Sequence, residues 1–341
     1  MHITILADAI DNQNAGVHYY LKNLIENLLK IDNKNKYSFI HCQENLFFND
    51  KEHYIVPQTK GPGTETIRRF HKIPKLIKKI KSDAVWQPCH IGPFNIPPEI
   101  KRIVTIHDLT PILFPQFHTH RGKIIHKLLL GKTLKNADLI LTSSKTTKND
   151  IQKLYKTNAK ITITPLGVDK PQTNVKPYFS EPYILYLGTI EPRKNLEMLI
   201  DAFLELDLPQ KLVLAGTKGW KNSRILEKAK NPKIILRTNI SEQEKASLYA
   251  HADAFVYPSI YEGFGLPPLE AMSYGIPVIC STGGSLSKLY SNHALMFDPK
   301  DKETLKSHLK NFKNAPRSKE FASNFTWENT AKLTLKALNQ I

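Results

Sequence analysis

The feature that most constrains this chain is its unbroken alternation of short apolar runs with amphipathic stretches. Residues 2–7, 37–41, 84–86, 103–106, 139–142 and 161–164 read as strands. Between them, residues 17–29, 65–81, 120–136 and 145–156 carry apolar side chains at helical spacing. The same alternation restarts downstream, with strands at 183–187, 211–215, 234–236, 254–257 and 277–280 and helices at 195–205, 221–229, 242–251 and 267–274. Strands that alternate with helices imply α/β folding on parallel sheets. At 341 residues the chain outgrows one core of ordinary size, so two domains are expected. Residues 169–181 are rich in Pro and Lys and lack either period, which predicts a linker between a first domain, 1–168, and a second, 182–325. A last helix, 326–341, opens on Thr326-Trp327-Glu328.

Composition removes several classes. The N-terminal apolar stretch is too short for a signal peptide, and no run approaches the length of a membrane span. Cys42, Cys89 and Cys280 are an odd, scattered set, which argues for a reducing compartment and a cytoplasmic location. The net charge of +17 is concentrated in the first half, most densely over residues 68–81. There Leu76, Ile77 and Ile80 share a helical face flanked by lysines, a pattern suited to an anionic membrane surface. Nucleic acid is the rival partner, and a solvated lysine-rich face is the plainest reading.

Two loops carry the chemistry. Ala254-Phe255-Val256-Tyr257 is broken by Pro258, and Tyr261-Glu262-Gly263-Phe264-Gly265-Leu266-Pro267-Pro268-Leu269-Glu270 follows. Proline suits a first helical turn, and glycines let backbone amides approach an anion at a helix N-terminus. Glu262 and Glu270 then offer carboxylates to the two ends of a polyhydroxylated, phosphate-linked ligand. An ordinary Gly/Pro turn with solvated glutamates is the alternative. Upstream, Gly188-Thr189-Ile190-Glu191-Pro192-Arg193-Lys194-Asn195 also joins a strand to a helix. Arg193 and Lys194 there would meet a diphosphate beside a helix N-terminus that Asn195 can cap.

These two loops, in this order, resemble the donor-binding segments of retaining glycosyltransferases of family 4, and most closely bacterial mannosyltransferase-like members. The resemblance implies GT-B architecture, two Rossmann-like domains facing each other across a cleft. It places Glu262 beside the donor sugar, Glu270 on the ribose, and Arg193 and Lys194 on the diphosphate. Gly188 and the 263–266 segment (Gly263, Phe264, Gly265, Leu266) line the donor, and Asn239 lies near the nucleobase. His107, in His107-Asp108-Leu109-Thr110-Pro111, resembles the family histidine that contacts donor sugar and phosphate. Gly16 resembles the reduced form of a glycine-rich loop after the first strand. Thr189 departs from the family, which often has arginine there, so Arg193 must supply the second cation.

The implied activity is transfer of a hexose, mannose, from a nucleotide diphosphate sugar such as GDP-mannose to a glycan or lipid-linked saccharide in cell-surface polysaccharide synthesis. No cofactor and no essential metal are expected, since no D-x-D or clustered Cys/His motif is present. The protein is expected to sit peripherally on the inner membrane face and not on nucleic acid. A sugar-nucleotide epimerase, a phosphorylase, or a basic binding module without catalysis are the rivals.

Overall fold

A computed structural model describes residues 1–13, 15–59, 61 and 63–341. The chain forms two compact units. The first comprises Met1–Ile112, His120–Pro165 and Trp327–Ile341, and the second Leu113–Thr119 and Leu166–Thr326.

The first unit is built on strands β1 (His2–Leu6), β2 (Lys36–His41), β3 (His53–Ile55), β4 (Ala84–Gln87), β5 (Lys101–Ile106), β6 (Leu139–Thr142) and β7 (Lys160–Ile163). All pairs are parallel, in the order β3-β2-β1-β4-β5-β6-β7. The second unit repeats the plan with β8 (Tyr183–Leu187), β9 (Lys211–Gly216), β10 (Ile234–Thr238), β11 (Ala254–Tyr257), β12 (Val278–Ser281) and β13 (Leu295–Phe297), ordered β10-β9-β8-β11-β12-β13. In each sheet the order of the strands reverses beside its first strand, between β1 and β4 and between β8 and β11. Ligands of doubly wound sheets bind beyond the strand ends at such a switch point. Strands buried on both faces explain the continuous apolar runs; Ile184, Leu185, Phe255, Val256, Val278 and Ile279 are all fully buried.

Several sequence expectations meet corrections here. Edge strands β3 and β13 were not anticipated, because three residues carry too little period. The 169–181 segment is not a free linker, since Tyr178 and Phe179 pack against the second core. Residues 113–119, expected in the first domain, belong to the second unit. There the Phe114 ring lies 5.2 Å from that of Tyr261, Lys221 Nζ donates to the Gln116 carbonyl at 2.8 Å, and Trp220 Nε1 donates to that of Phe117. Where Gly16 resembles a glycine-rich loop after the first strand, the chain forms a short helix, Asp8–Asp11, and then the helix Ala15–Ile31; Asn14 lies outside the described residues. Gly16 therefore sits in a helix's first turn, where an added Cβ would touch nothing.

The basic segment differs most. It is helical from Thr64 to Ile80, as expected, but a π turn over Arg68–Lys72 joins the α-helical segments Thr64–Ile67 and Ile73–Ile80. Pro74 lacks the N–H that would continue a regular ladder, and the backbone widens just before it. Arg68 is 1% exposed; its guanidinium donates to both Asp8 oxygens at 2.6 and 2.7 Å and to the Val56 carbonyl. Ile77 is fully buried, and Leu76 and Ile80 pack on the same core as Ile40, Val56 and Val85. The apolar face assigned to membrane insertion is thus core. Lys72, Lys75, Lys78, Lys79 and Lys81 remain exposed. Among the described residues no helix is long and apolar enough to cross a membrane.

Asp11 ties the ends of β1 and β2 together. Its carboxylate accepts from the Cys42 and Gln43 amides at 2.7 and 3.0 Å, from Asn45 Nδ2 at 2.9 Å and faces His41 Nδ1 at 3.1 Å.

Candidate active site

In the second unit the two signature loops meet at the β8/β11 switch point. After β8 the chain makes a turn over Pro192–Lys194 and enters the helix Leu196–Leu204. Asn195 does not cap that helix with its side chain. It adopts φ 58°, and its Nδ2 donates to the Pro299 carbonyl at 2.8 Å. After β11 the loop 258–265 leads into the helix Leu266–Tyr274, which carries proline in its first turn.

Glu262 Oε1 is the centre of this junction. It accepts from Lys194 Nζ at 2.6 Å, Arg193 Nη1 at 2.9 Å and Tyr257 Oη at 3.3 Å, and from the Ser259 hydroxyl. Arg193 also donates through Nη2 to Glu191 at 2.7 Å and through Nη1 to the Tyr261 carbonyl at 2.7 Å. Glu262 and Lys194 are each 7% exposed. Burial pushes the Glu262 carboxyl up, but Arg193 and Lys194 outweigh it and hold the group below the usual carboxylate range. Burial also lowers the Lys194 ammonium, opposed by Glu262. Two cations thus converge on one buried carboxylate oxygen.

The backbone of the same loop is held from behind. The carbonyl of Glu262 accepts from the Ser285 amide at 2.9 Å, that of Phe264 from the Ser285 hydroxyl at 3.0 Å, and that of Gly265 from Tyr290 Oη at 2.8 Å. Gly284, at φ +66°, forms a parallel bridge with Glu262, and a Cβ there would lie 2.4 Å from the Glu262 carbonyl oxygen. Gly265 needs its freedom too: φ is +87°, and a Cβ would strike Leu286 at 2.3 Å. The Phe264 ring is buried core, so any part it takes in ligand binding runs through its backbone.

Glu270 is 6% exposed and accepts from Lys245 Nζ at 2.7 Å and Tyr249 Oη at 2.8 Å. Both donors stand on the helix Glu242–Ala250, which opens with the capping box of Ser241 and Glu244. The Glu270 and Glu242 charges overcome burial and raise the Lys245 ammonium. Gly188 and Asn239 lie beyond the ends of β8 and β10; Asn239 is exposed at φ 58°.

In the first unit His107 follows β5. Its Nε2 lies 2.9 Å from the Pro88 carbonyl, so that nitrogen carries hydrogen and Nδ1 keeps its lone pair. Burial lowers its basicity. Asp108 closes a turn before the next helix by accepting from the Thr110 amide and hydroxyl at 2.9 and 2.7 Å. Ser144 caps the helix Lys145–Leu154. A cavity of about 270 Å³ opens beyond β1 and β4, lined by Arg69, His126, Phe94, Ile73 and Gln87 among others. Among the described residues no group of three or more His, Cys, Asp or Glu is placed to hold a metal ion.

Sequence reasoning missed Glu191, Tyr257, Ser259, Lys245, Tyr249, Gly284 and Ser285. Gly283-Gly284 directly after a buried strand was the one available signal.

Two Rossmann-like parallel sheets, with paired cations and a carboxylate at the switch point of the second, are the parts of a GT-B glycosyltransferase. The sucrose-phosphate synthase of Thermosynechococcus elongatus superposes with a TM-score of 0.77 at 19% identity, covering 100% of this chain and 98% of that one. The family models agree. Residues 15–171 match Glycosyltransferase Family 4 and residues 171–328 match Glycosyl transferases group 1. The chain is 32% identical over 276 residues, 72% of each protein, to O-antigen chain mannosyltransferase B of Escherichia coli. It is 28% identical to O-antigen chain mannosyltransferase RfbU of Salmonella typhimurium, over 70% of this chain and 69% of that one. The chain belongs to glycosyltransferase family 4, and it is a glycosyltransferase.

Proposed function

We propose that this chain is a retaining hexosyltransferase that moves mannose from GDP-mannose to a glycan or lipid-linked saccharide in O-antigen-type polysaccharide synthesis. The observation that carries the reading is the meeting of Lys194 and Arg193 on Glu262. Bond breaking at the sugar places new charge on the leaving diphosphate, and two preorganised cations stabilise that charge. The sugar C1–O bond to the diphosphate breaks as the acceptor oxygen bonds to C1 on the same face. The acceptor's proton passes to the leaving phosphate. In this reading Glu262 holds the sugar, Glu270 the ribose, and His107 accepts a sugar hydroxyl through Nδ1. The mannose assignment rests on the two mannosyltransferases that the chain resembles.

The acceptor is assigned to the first-unit cavity, where Arg69 and His126 supply polar contacts above an apolar floor. Peripheral attachment to an anionic, cytoplasmic membrane face is proposed through the exposed lysines of 72–81. The helix His120–Asn136 supplies the apolar part that 76–80 lacks. Ile124 and Leu128 are 57% and 68% exposed there, among Arg121, Lys127, Lys132 and Lys135, with no acidic residue in the helix. Nucleic acid is not proposed as a partner.

The test is a thermal-shift screen of nucleotide sugars, followed by anomeric analysis of product by NMR. GDP-mannose should stabilise most, because a ligand that binds only the folded state raises stability. An inverted anomeric centre would refute retention, and an altered sugar with intact nucleotide would mark epimerisation instead.

A further inference from the structure

The end of β5 lacks a strand neighbour on one side. β4 stops at Gln87, paired with Val104, while β5 runs on to Ile106. His90 fills the gap. Its amide donates to the Thr105 carbonyl at 3.0 Å, and its ring Nε2 accepts from the His107 amide at 3.2 Å. To do both it adopts a left-handed backbone, φ 48°, a conformation that costs energy in a non-glycine residue. Behind it, His90 Nδ1 meets His126 Nε2 at 3.3 Å, and His126 Nδ1 meets the Gly122 carbonyl at 2.8 Å.

The partners fix every proton in this series. The His107 amide only donates, so His90 Nε2 is a lone pair and His90 Nδ1 carries the ring hydrogen. The Gly122 carbonyl only accepts, so His126 Nδ1 carries hydrogen and its Nε2, facing His90 Nδ1, a lone pair. His90 Nδ1 then donates to His126. The direction runs one way, from His107 through His90 and His126 to Gly122. The His107 carbonyl is held as well, by the Thr147 hydroxyl at 3.3 Å.

We propose that His90 and His126 are positioning residues for the transfer reaction, holding the His107 main chain so that the Nδ1 lone pair stays presented to a sugar hydroxyl. This rests on the reading of His107 given above. Both residues line the first-unit cavity assigned to the acceptor, but neither need touch the donor sugar for this purpose. Each acts through the next, and a shift of about 1 Å at a group that orients substrate can cost about a hundredfold in rate.

Glutamine in place of His90 offers one acceptor and one donor, whereas leucine offers neither. His90→Leu should lower kcat about a hundredfold with the donor KM little changed, and His90→Gln should recover to within about tenfold of wild type. Equal loss in both variants, or wild-type kcat in His90→Leu, overturns the proposal. Nitrogen NMR of the unaltered protein gives an answer that no folding defect can blur. His90 and His126 should be neutral with hydrogen on Nδ1, and His107 neutral with hydrogen on Nε2. Hydrogen on His90 Nε2 overturns the proposal. His107→Ala separates the two readings: full activity there removes the role of His107 and this inference with it. An inactive His107→Ala beside a fully active His90→Leu removes the inference alone.

Discussion

Lys194 Nζ lies 2.6 Å from Glu262 Oε1, so the cation proposed for a diphosphate and the carboxylate proposed for a sugar neutralise each other. If the proposed function holds, a donor competes with Glu262 for Lys194 and Arg193, and the arriving diphosphate releases the carboxylate to face the sugar.

Glu262→Gln should free both cations. Affinity for free nucleoside diphosphate is expected to rise by roughly tenfold, or about 1.4 kcal/mol, while kcat falls on the order of a hundredfold. Calorimetry with nucleotide and steady-state kinetics decide it. Unchanged nucleotide affinity would show that the ion pair does not restrain the cations.

Lys194→Ala and Arg193→Ala should each weaken donor binding and slow turnover, because charge-assisted bonds to phosphate are lost. Lys194→Ala also strips a partner from a buried carboxylate. Its melting temperature should fall more than that of Lys194→Gln, which keeps a donor near Glu262. If Arg193→Ala matches wild type in kcat/KM, the proposal that it stands in for the arginine absent at Thr189 is wrong.

Glu270→Gln should weaken nucleotide binding whether or not a sugar is attached, since the partner proposed for the carboxylate that Lys245 and Tyr249 hold is the ribose and not the hexose. Equal dissociation constants for wild type and variant, measured with free nucleotide, would remove that role.

Asp11 should control the acid limb of stability. Burial raises its carboxyl, but the Cys42, Gln43 and Asn45 donors together bring it below its ordinary value. A group with a depressed folded pKa stabilises above the unfolded value of about 3.9, and that stability drains as pH falls through the folded value. Melting temperatures taken from neutral to strongly acidic pH should fall steeply for wild type and less steeply for Asp11→Asn. Parallel curves would refute this.

Vesicle binding should need both charge and exposed apolar side chains. Replacing Lys75, Lys78, Lys79 and Lys81 with Gln, or Ile124 and Leu128 with Ser, should each reduce pelleting with anionic vesicles. Salt should weaken binding as well, since each exposed cation contributes about 1 kcal/mol near such a surface. Pelleting that is indifferent to both sets of changes would dismiss these surfaces.

Periodicity made the α/β class legible, and the strand-to-helix loops identified Glu262, Glu270, Arg193 and Lys194 because Gly and Pro punctuate them. The partners of those residues were hidden. Lys245 reaches Glu270 across 25 residues of sequence and Tyr257 reaches Lys194 across 63, distances that no local pattern encodes. Arg68 misled for a related reason. It opens a stretch rich in lysine, yet bidentate pairing with Asp8, 60 residues away, draws it inward. A helical stripe of Leu76, Ile77 and Ile80 fits a core as well as it fits a lipid surface, and spacing alone does not distinguish them.

The carbonyls of Glu262, Phe264 and Gly265 are gripped by Ser285 and Tyr290, and the bare Cα of Gly284 is what lets the two segments close up. The loop that carries the signature is therefore not a transplantable cassette. A chimera that imports residues 258–272 from another transferase into this chain inherits the wrong mould unless residues 283–290 travel with it.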